Sequence, residues 1–550
     1  MKSVRCLLMG SAAGLMAVSA AQAADLPVKA APVEYVKVCS LYGAGFWYVP
    51  GTDTCMKIGS FVRVTTGYNT DGTTQIGTGG GTGAGRYDRT DTSMFAFQGR
   101  EVVSFDVRTQ TEYGTLRSYM NLGYEQSAKA NWPNFAVTPG ATTTAEGAVT
   151  KEAAGNGAYN NRAFIQFAGF TVGRMRSFYD IIALGAYTYG ANRTTADSAA
   201  GGIFGGGYTA QFGGGFSLSL GLEDGGAVTG GRGRFTTDLS QFAFGGGALS
   251  AGQNLDNSGN LFFDPVVSLR IDQSWGFAAI SGAIHNNGGG YYNNAINSTN
   301  PLLFNTIVQG HPNDVYGYAG SAGFLLTDFM GLQGDTFAVQ ANYGVGAAGY
   351  VTRGTGTWFI RNGNNFGAAT VIDGVFADGT QIEQTKEWAA AAAYEHYWTP
   401  RLRTSATAGY VSINYDQNAK DLICAGAPGF STGFLPGAPN TPVLGLQNNS
   451  LGSGIASKVN QPGGFVNGWS PNSHCNPDSS WYQLSARTAY SPHPDLDIGV
   501  EILYSGLNTS SRGATVNVAA ASGAVPPGLY TFANQGVWAG MFRFSRTFIP

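Results

Sequence analysis

Three kinds of residue in this chain stand at spacings that could do chemistry: histidine, cysteine and arginine. The five histidines, His285, His311, His396, His474 and His493, are scattered, and no two stand at metal-ligand spacing. The chain has no G-x-x-x-x-G-K-[ST], no H-E-x-x-H and no G-x-S-x-G. Those patterns would cradle phosphate, hold catalytic zinc or present a nucleophilic serine. Glycine is so frequent that a G-x-G-x-x-G match carries no weight, and the run Gly79 to Gly85 reads as surface loop. The expectation is therefore no catalytic residues, no metal and no cofactor.

Cysteine gives a different signal. Cys39, Cys55, Cys424 and Cys475 remain after Cys6, near the N-terminus, is set aside. An even number in an oxidising compartment favours disulfides. Local spacing suggests Cys39 with Cys55 and Cys424 with Cys475, although four cysteines allow three pairings. Zinc is the weaker reading. There is no C-x-x-C, and His474 beside Cys475 has no spaced partner.

Arginine carries the functional expectation. Arg63, Arg108, Arg117 and Arg162 fall at polar positions of segments whose apolar residues alternate with them, and Arg100 shares the parity of Arg108. Arginine stays charged and holds a rigid fork, which suits a fixed field along a water-filled passage. Structural salt bridges, for example Arg108 with Asp106 or Glu112, are the plainer reading, and both can hold.

The elements that must position these residues are strands. Val103, Phe105 and Val107 alternate with Ser104, Asp106 and Arg108, then Leu116, Met120 and Leu122 alternate with Arg117, Tyr119 and Asn121. Such alternation gives one apolar and one wet face. The wet face carries several ionised groups, which a packed sandwich core would not accept. The pattern recurs at Ala163–Phe167, Phe216–Glu223, Val267–Asp272, Phe337–Val345, Tyr482–Tyr490 and Asp495–Tyr504. Trp388–Tyr397 is alanine-rich and helical by propensity. Read as a strand, it sets Trp388, Tyr394 and Trp398 on one face and Glu387 and Glu395 on the other.

Connections alternate as well. Short turns fall near 112–114, 171–173, 213–215, 274–276, 331–335, 400 and 492–494. Long polar segments fall near 69–92, 126–157, 179–202, 224–260, 286–313, 347–384, 414–478 and 506–534. Seven hairpins and a strand at each end make sixteen strands, with both ends on the short-turn side. Short turns on one rim and long loops on the other mark a transmembrane β-barrel. Tyr482 and Tyr490 share an apolar face eight residues apart, roughly 20 Å along the membrane normal, close to the ~25 Å apolar band of such barrels. The fold expected is all-β, a 16-stranded antiparallel transmembrane β-barrel over 56–550, with short periplasmic turns and long extracellular loops.

Composition agrees. The chain has 82 glycines in 550 residues and 12% charged residues, against usual shares of about 7% and about 25%. Disorder, collagen and helical bundles are excluded by the aromatic content, the lack of a three-residue glycine period and the helix cost of glycine. A net charge of −3 argues against nucleic-acid binding. Lys2 and Arg5, the apolar stretch Leu7 to Ala20 and Ala21-Gln22-Ala23 read as a secretory signal peptide over 1–23. No later stretch reaches the ~18 apolar residues of a membrane helix. An exported chain of this kind is soluble or a closed barrel.

Several blocks resemble the porins of the alphaproteobacterial (rhizobial and brucella-type) outer membrane. They are Ala24-Asp25-Leu26-Pro27, the segment from Cys39-Ser40-Leu41-Tyr42-Gly43 to Cys55-Met56-Lys57-Ile58-Gly59, Arg162 to Gly173 followed by Ser177-Phe178-Tyr179-Asp180, and Phe542 to Phe548. The resemblance implies a barrel in outer-membrane lipid, usually a homotrimer, passing small hydrophilic solutes and ions by passive diffusion. It also implies that the loop after Asp180 folds into the pore. Sixteen strands enclose a lumen too wide to select small solutes, so that loop, 179–202, would form the constriction. Asp180, Arg193 and Asp197 on it would face an arginine wall of Arg63, Arg100, Arg108, Arg117 and Arg162. Residues 24–55 would form a periplasmic segment with a disulfide. Two departures stand out: Ile549 and Pro550 follow Phe548, where such barrels commonly end on an aromatic, and the loop 414–478 is long. The rival readings are an adhesin or phage receptor acting through its long loops, a barrel lipase and a soluble sandwich.

Overall fold

The structure, a computed structural model, describes residues 38–68, 95–127, 155–190, 194–198, 201–226, 232–238, 258–259, 262–292, 310–352, 356–362, 364–377, 379–425, 476–510, 512–513, 515–518 and 528–548. The expected signal peptide, 1–23, lies outside them. Sixteen strands carry the fold: β1 (Thr54–Tyr68), β2 (Phe95–Thr111), β3 (Gly114–Ser127), β4 (Gly155–Phe167), β5 (Phe170–Met175), β6 (Ile203–Gly213), β7 (Phe216–Glu223), β8 (Asp264–Gln273), β9 (Gly276–Asn287), β10 (Val315–Thr327), β11 (Thr336–Val345), β12 (Lys386–Thr399), β13 (Leu402–Asn414), β14 (Ser479–His493), β15 (Leu496–Asn508) and β16 (Gln535–Phe548). Each pairs antiparallel with its predecessor. β16 closes on β1, with Ser60 opposite Phe548 and Tyr68 opposite Gly540. Closure leaves these strands without an edge, the condition for a sheet in lipid.

Period-two patterning sets the two faces. Leu220, Ile280, Ile502 and Trp538 point outward and are more than half exposed, a surface suited to acyl chains. Charged and amide groups line the inside. No helix among the described residues is long and apolar enough to cross a membrane. The alanine-rich segment is strand β12. Its register to β11 and β13, with Ala391 opposite Gln340 and Gly409, overrides the helical propensity of alanine. One turn lies earlier than expected. The β4–β5 reversal is at Ala168 and Gly169, both left-handed (φ 49° and 88°), rather than at 171–173. Apolar residues flank that turn closely enough to hide it in the alternation.

Cys39 and Cys55 form a disulfide that packs with Phe46 beneath the short-turn end of β1. Cys55 belongs to β1, so the bridge ties the N-terminal segment to the barrel wall. Cys475 and the side chain of Cys424 lie outside the described residues.

The apolar core sits inside the barrel, at the long-loop end. There the inward residues of β12–β16 turn apolar: Ala389, Val411, Ile413, Trp481, Leu507 and Val537. Against them pack Ala369, Val371, Ile372 and Val375 from the sixth long connection, and Ala419 and Ile423 from helix α1 (Gln417–Ala425). Strands 356–362 and 365–371 of that connection join 515–518 and 528–532 of the eighth in a four-stranded sheet. The sixth connection, not only the third, therefore folds into the lumen.

Candidate functional site

The third long connection is built to lie across the lumen. β5 has only six residues, so the chain leaves the wall early. Glu223 of β7 anchors the exit, accepting from Ser177 Oγ at 2.8 Å and Phe178 N at 2.8 Å. Ile181, Ile182, Leu184 and Tyr187 then pack on Ala279, Ala338, Ala391 and Ala393, inward residues of β9, β11 and β12. Small alanines on the wall leave room for these side chains. Gln340 accepts from Ile182 N at 2.9 Å, Ser405 Oγ donates to Tyr187 O at 2.7 Å, and Arg487 Nη1 donates to Ala186 O at 2.8 Å. At the far side Glu501 of β15 accepts from Thr188 Oγ1, Tyr189 N and Gly190 N. Arg543 of β16 donates to Tyr189 O at 3.1 Å. The connection thus runs from β5 to β16 over the β9–β15 wall.

Two glycines permit this close approach. A Cβ at Gly499 would overlap the Tyr189 hydroxyl, and one at Gly409 would overlap Thr194. Part of the glycine excess in the sequence is thereby explained by loop docking rather than by flexibility.

The loop residues expected to face the pore have definite places. The Asp180 side chain is fully buried and ion-paired with Arg232 of the fourth connection at 2.7 Å. Burial pushes its carboxyl up, but Arg232, Arg176 and the Ser198 hydroxyl outweigh that and hold it below the usual carboxylate range. Asp180 thus anchors the root of the loop and presents no open carboxylate. Asp197 is also buried, 8% exposed. Arg193 lies outside the described residues.

The five arginines all sit on the inward face, and β-pairing brings them together. Arg63 stands opposite Arg100, and Arg108 opposite Arg117. Asp106 lies between the second pair, 2.8 Å from Arg108 and 2.9 Å from Arg117. Arg100 is bound to Glu125 at 2.6 Å. Arg162 faces Asn121 one strand further on. The inward faces of β16 and β1–β4 carry Lys57, Arg63, Arg100, Arg108, Arg117, Arg162 and Arg543 and, among the described residues, the acids Asp106 and Glu125, while Arg162 also lies near Asp180 and Asp197 of the third connection. Across the lumen, Arg487 and Arg403 are balanced by Glu395 and Asp497.

Arg543, Arg487, Arg403, Arg232, Glu223 and Glu501 were not singled out from the sequence. The first three were within reach, since Arg543 alternates with Phe542 and Phe544. Arg232 and the loop-anchoring role of the two glutamates had no periodic signal.

A family model described as a porin subfamily matches residues 25–541. Porin Omp2a of Brucella melitensis biotype 1 is 32% identical over 241 residues, 41% of this chain and 57% of that protein. Porin Omp2b of Brucella suis biovar 1 is 31% identical over 239 residues, 42% of this chain and 56% of that protein. The chain therefore spans little more than half the length of these relatives. Among solved structures, the outer membrane channel DcaP of Acinetobacter baumannii matches 91% of this chain and 99% of its own, with a TM-score of 0.50 and 12% identity. That likeness is one of fold.

Proposed function

Because the chain belongs to the porin subfamily and is an outer-membrane β-barrel, we propose that it forms a water-filled channel for passive diffusion of small hydrophilic solutes and ions. The observation that carries this is a closed sixteen-strand barrel whose third connection is laid across the lumen onto β9–β16, beside an inward wall of β1–β4 rich in arginine. Size exclusion is set by that loop together with the sixth connection. Charge preference is set by Arg63, Arg100, Arg108, Arg117 and Arg162, with Arg543 beside them. Diffusion needs no cofactor, no catalytic step and no energy source.

The test is solute entry into proteoliposomes. Swelling should be fast with a monosaccharide and fall steeply with oligosaccharide length. Liposomes that swell no faster than protein-free ones would refute the proposal.

The working form we propose is a homotrimer in outer-membrane lipid. Glu101 and Arg174, two of the charges on the outer wall, support a protein neighbour there. Glu101 lies in register with the outward Val62 and Tyr124. Arg174 lies in register with the outward Phe204, and among the described residues it donates to the carbonyls of Gly201 and Asn160, each at 2.7 Å. An arginine on a lipid face costs about 2–4 kcal/mol at mid-depth and a carboxylate less, so a partner surface suits these positions better. Arg174→Ala should lower the temperature at which the oligomer band dissociates on an electrophoresis gel. A single-chain species in both wild type and variant would refute the oligomer.

A further inference from the structure

The inward face where β16, β1 and β2 meet carries two arginines, Arg63 and Arg543, with no carboxylate in ion-pair contact among the described residues. Arg63 and Arg100 are directly opposed, and Arg543 stands one step along, opposite Thr65. Such cross-strand neighbours sit about 4.5–8 Å apart at Cβ. Arg100 has its carboxylate in Glu125. Among the described residues Arg543 donates to neutral acceptors, the Thr65 hydroxyl at 3.1 Å and the Tyr189 carbonyl at 3.1 Å. Arg63 packs over Phe61 at 4.8 Å, and its buried Nε has no acceptor among the described residues.

A second orphan lies on the same face. The Tyr159 hydroxyl is buried without a partner among the described residues, and its ring is 5.9 Å from the Arg100 guanidinium. Buried donors normally find acceptors. Two within one group of guanidiniums are donors that an acceptor from outside the described residues would satisfy. The nearest acids on β15 are already taken: Glu501 holds the third connection, and Asp497 is paired with Arg403 at 2.8 Å.

We infer that Arg63, Arg543 and Tyr159, with Arg100 at the edge, form a binding site for small oxyanions in the narrow part of the channel. Guanidinium forks match the paired oxygens of phosphate and carboxylate groups, and the tyrosine hydroxyl supplies a further donor. The site makes the pore anion-selective. The inference rests on the channel reading and adds its sign and its ligand class.

The experiment uses the purified full chain in planar bilayers under a potassium chloride gradient, with inorganic phosphate as the probe. The reversal potential should have the anion sign, with chloride several-fold more permeant than potassium. Phosphate added on one side should reduce the chloride current in a saturable way. Arg63→Gln with Arg543→Gln should bring the permeability ratio toward one and weaken the phosphate effect about tenfold. Tyr159→Phe keeps the ring, and should weaken the phosphate effect a few-fold at an unchanged chloride-to-potassium ratio. A cation-selective wild type overturns the site without any variant. So does a phosphate effect that stays at full strength in both Tyr159→Phe and the double variant. No conductance at all would instead refute the channel on which the inference rests.

Discussion

Arg232 belongs to the fourth long connection, yet it holds the third in place. Its guanidinium donates to Asp180 Oδ1 at 2.7 Å and to Ser177 Oγ at 2.6 Å, and lies 4.6 Å from the Tyr350 ring centre. Both charged side chains of the pair are almost fully buried, 4% and 0% exposed. Breaking such a pair by removing one partner costs about 3–5 kcal/mol. Arg232→Ala should therefore lower the thermal unfolding midpoint clearly, and an unchanged midpoint would refute the anchor. Asp180 also fixes a pH window. Its carboxyl titrates below the usual range, so its contribution is present above the unfolded value near ~3.9 and is lost as pH falls through the lower folded value. The loop should hold from neutral pH down to about 4 and loosen only under stronger acid, and Asp180→Asn should flatten that acid limb of the melting profile. The Arg108–Asp106 bridge was legible because the two residues are two apart on one strand face. The Arg232–Asp180 bridge joins residues 52 apart in non-periodic loops, and nothing in the sequence could pair them.

At the scale of elements, the strands were legible because lipid and water impose opposite demands on alternate residues. Alternation marked about half of the strands, and the order of short and long connections completed the count of sixteen, with one turn misplaced at Ala168-Gly169. The inward course of the third connection came from resemblance, and that of the sixth had no such signal. Its basis is a break in the rule: Val411, Ile413, Trp481 and Leu507 are apolar on a face that is polar lower down. Strands that read as simply hydrophobic at one end hid a second core. Docking of the third connection can be tested through the glycines beneath it. Gly409→Leu or Gly499→Val would collide with Thr194 or Tyr189 and displace the loop. Open-channel current should become larger and noisier while the barrel still forms; a wild-type trace would mean that the loop does not bound the passage.

For the whole molecule, glycine and charge take on specific meanings. Glycine serves turns, and it also serves wall positions where a loop must come close. The scarce charges are concentrated inside, unevenly: basic excess on β16 and β1–β4, balance on β12–β15. This asymmetry follows from strand neighbourhood in a closed barrel, which only the closure of β16 on β1 reveals. The central claim is that this interior is an open aqueous passage narrowed by its own loops. Single-channel recording of the purified protein in planar bilayers tests it most directly. The account predicts discrete insertion steps with conductance that rises nearly in proportion to bulk salt, as expected for ions moving through water. A membrane that stays silent despite verified insertion of folded protein would contradict it.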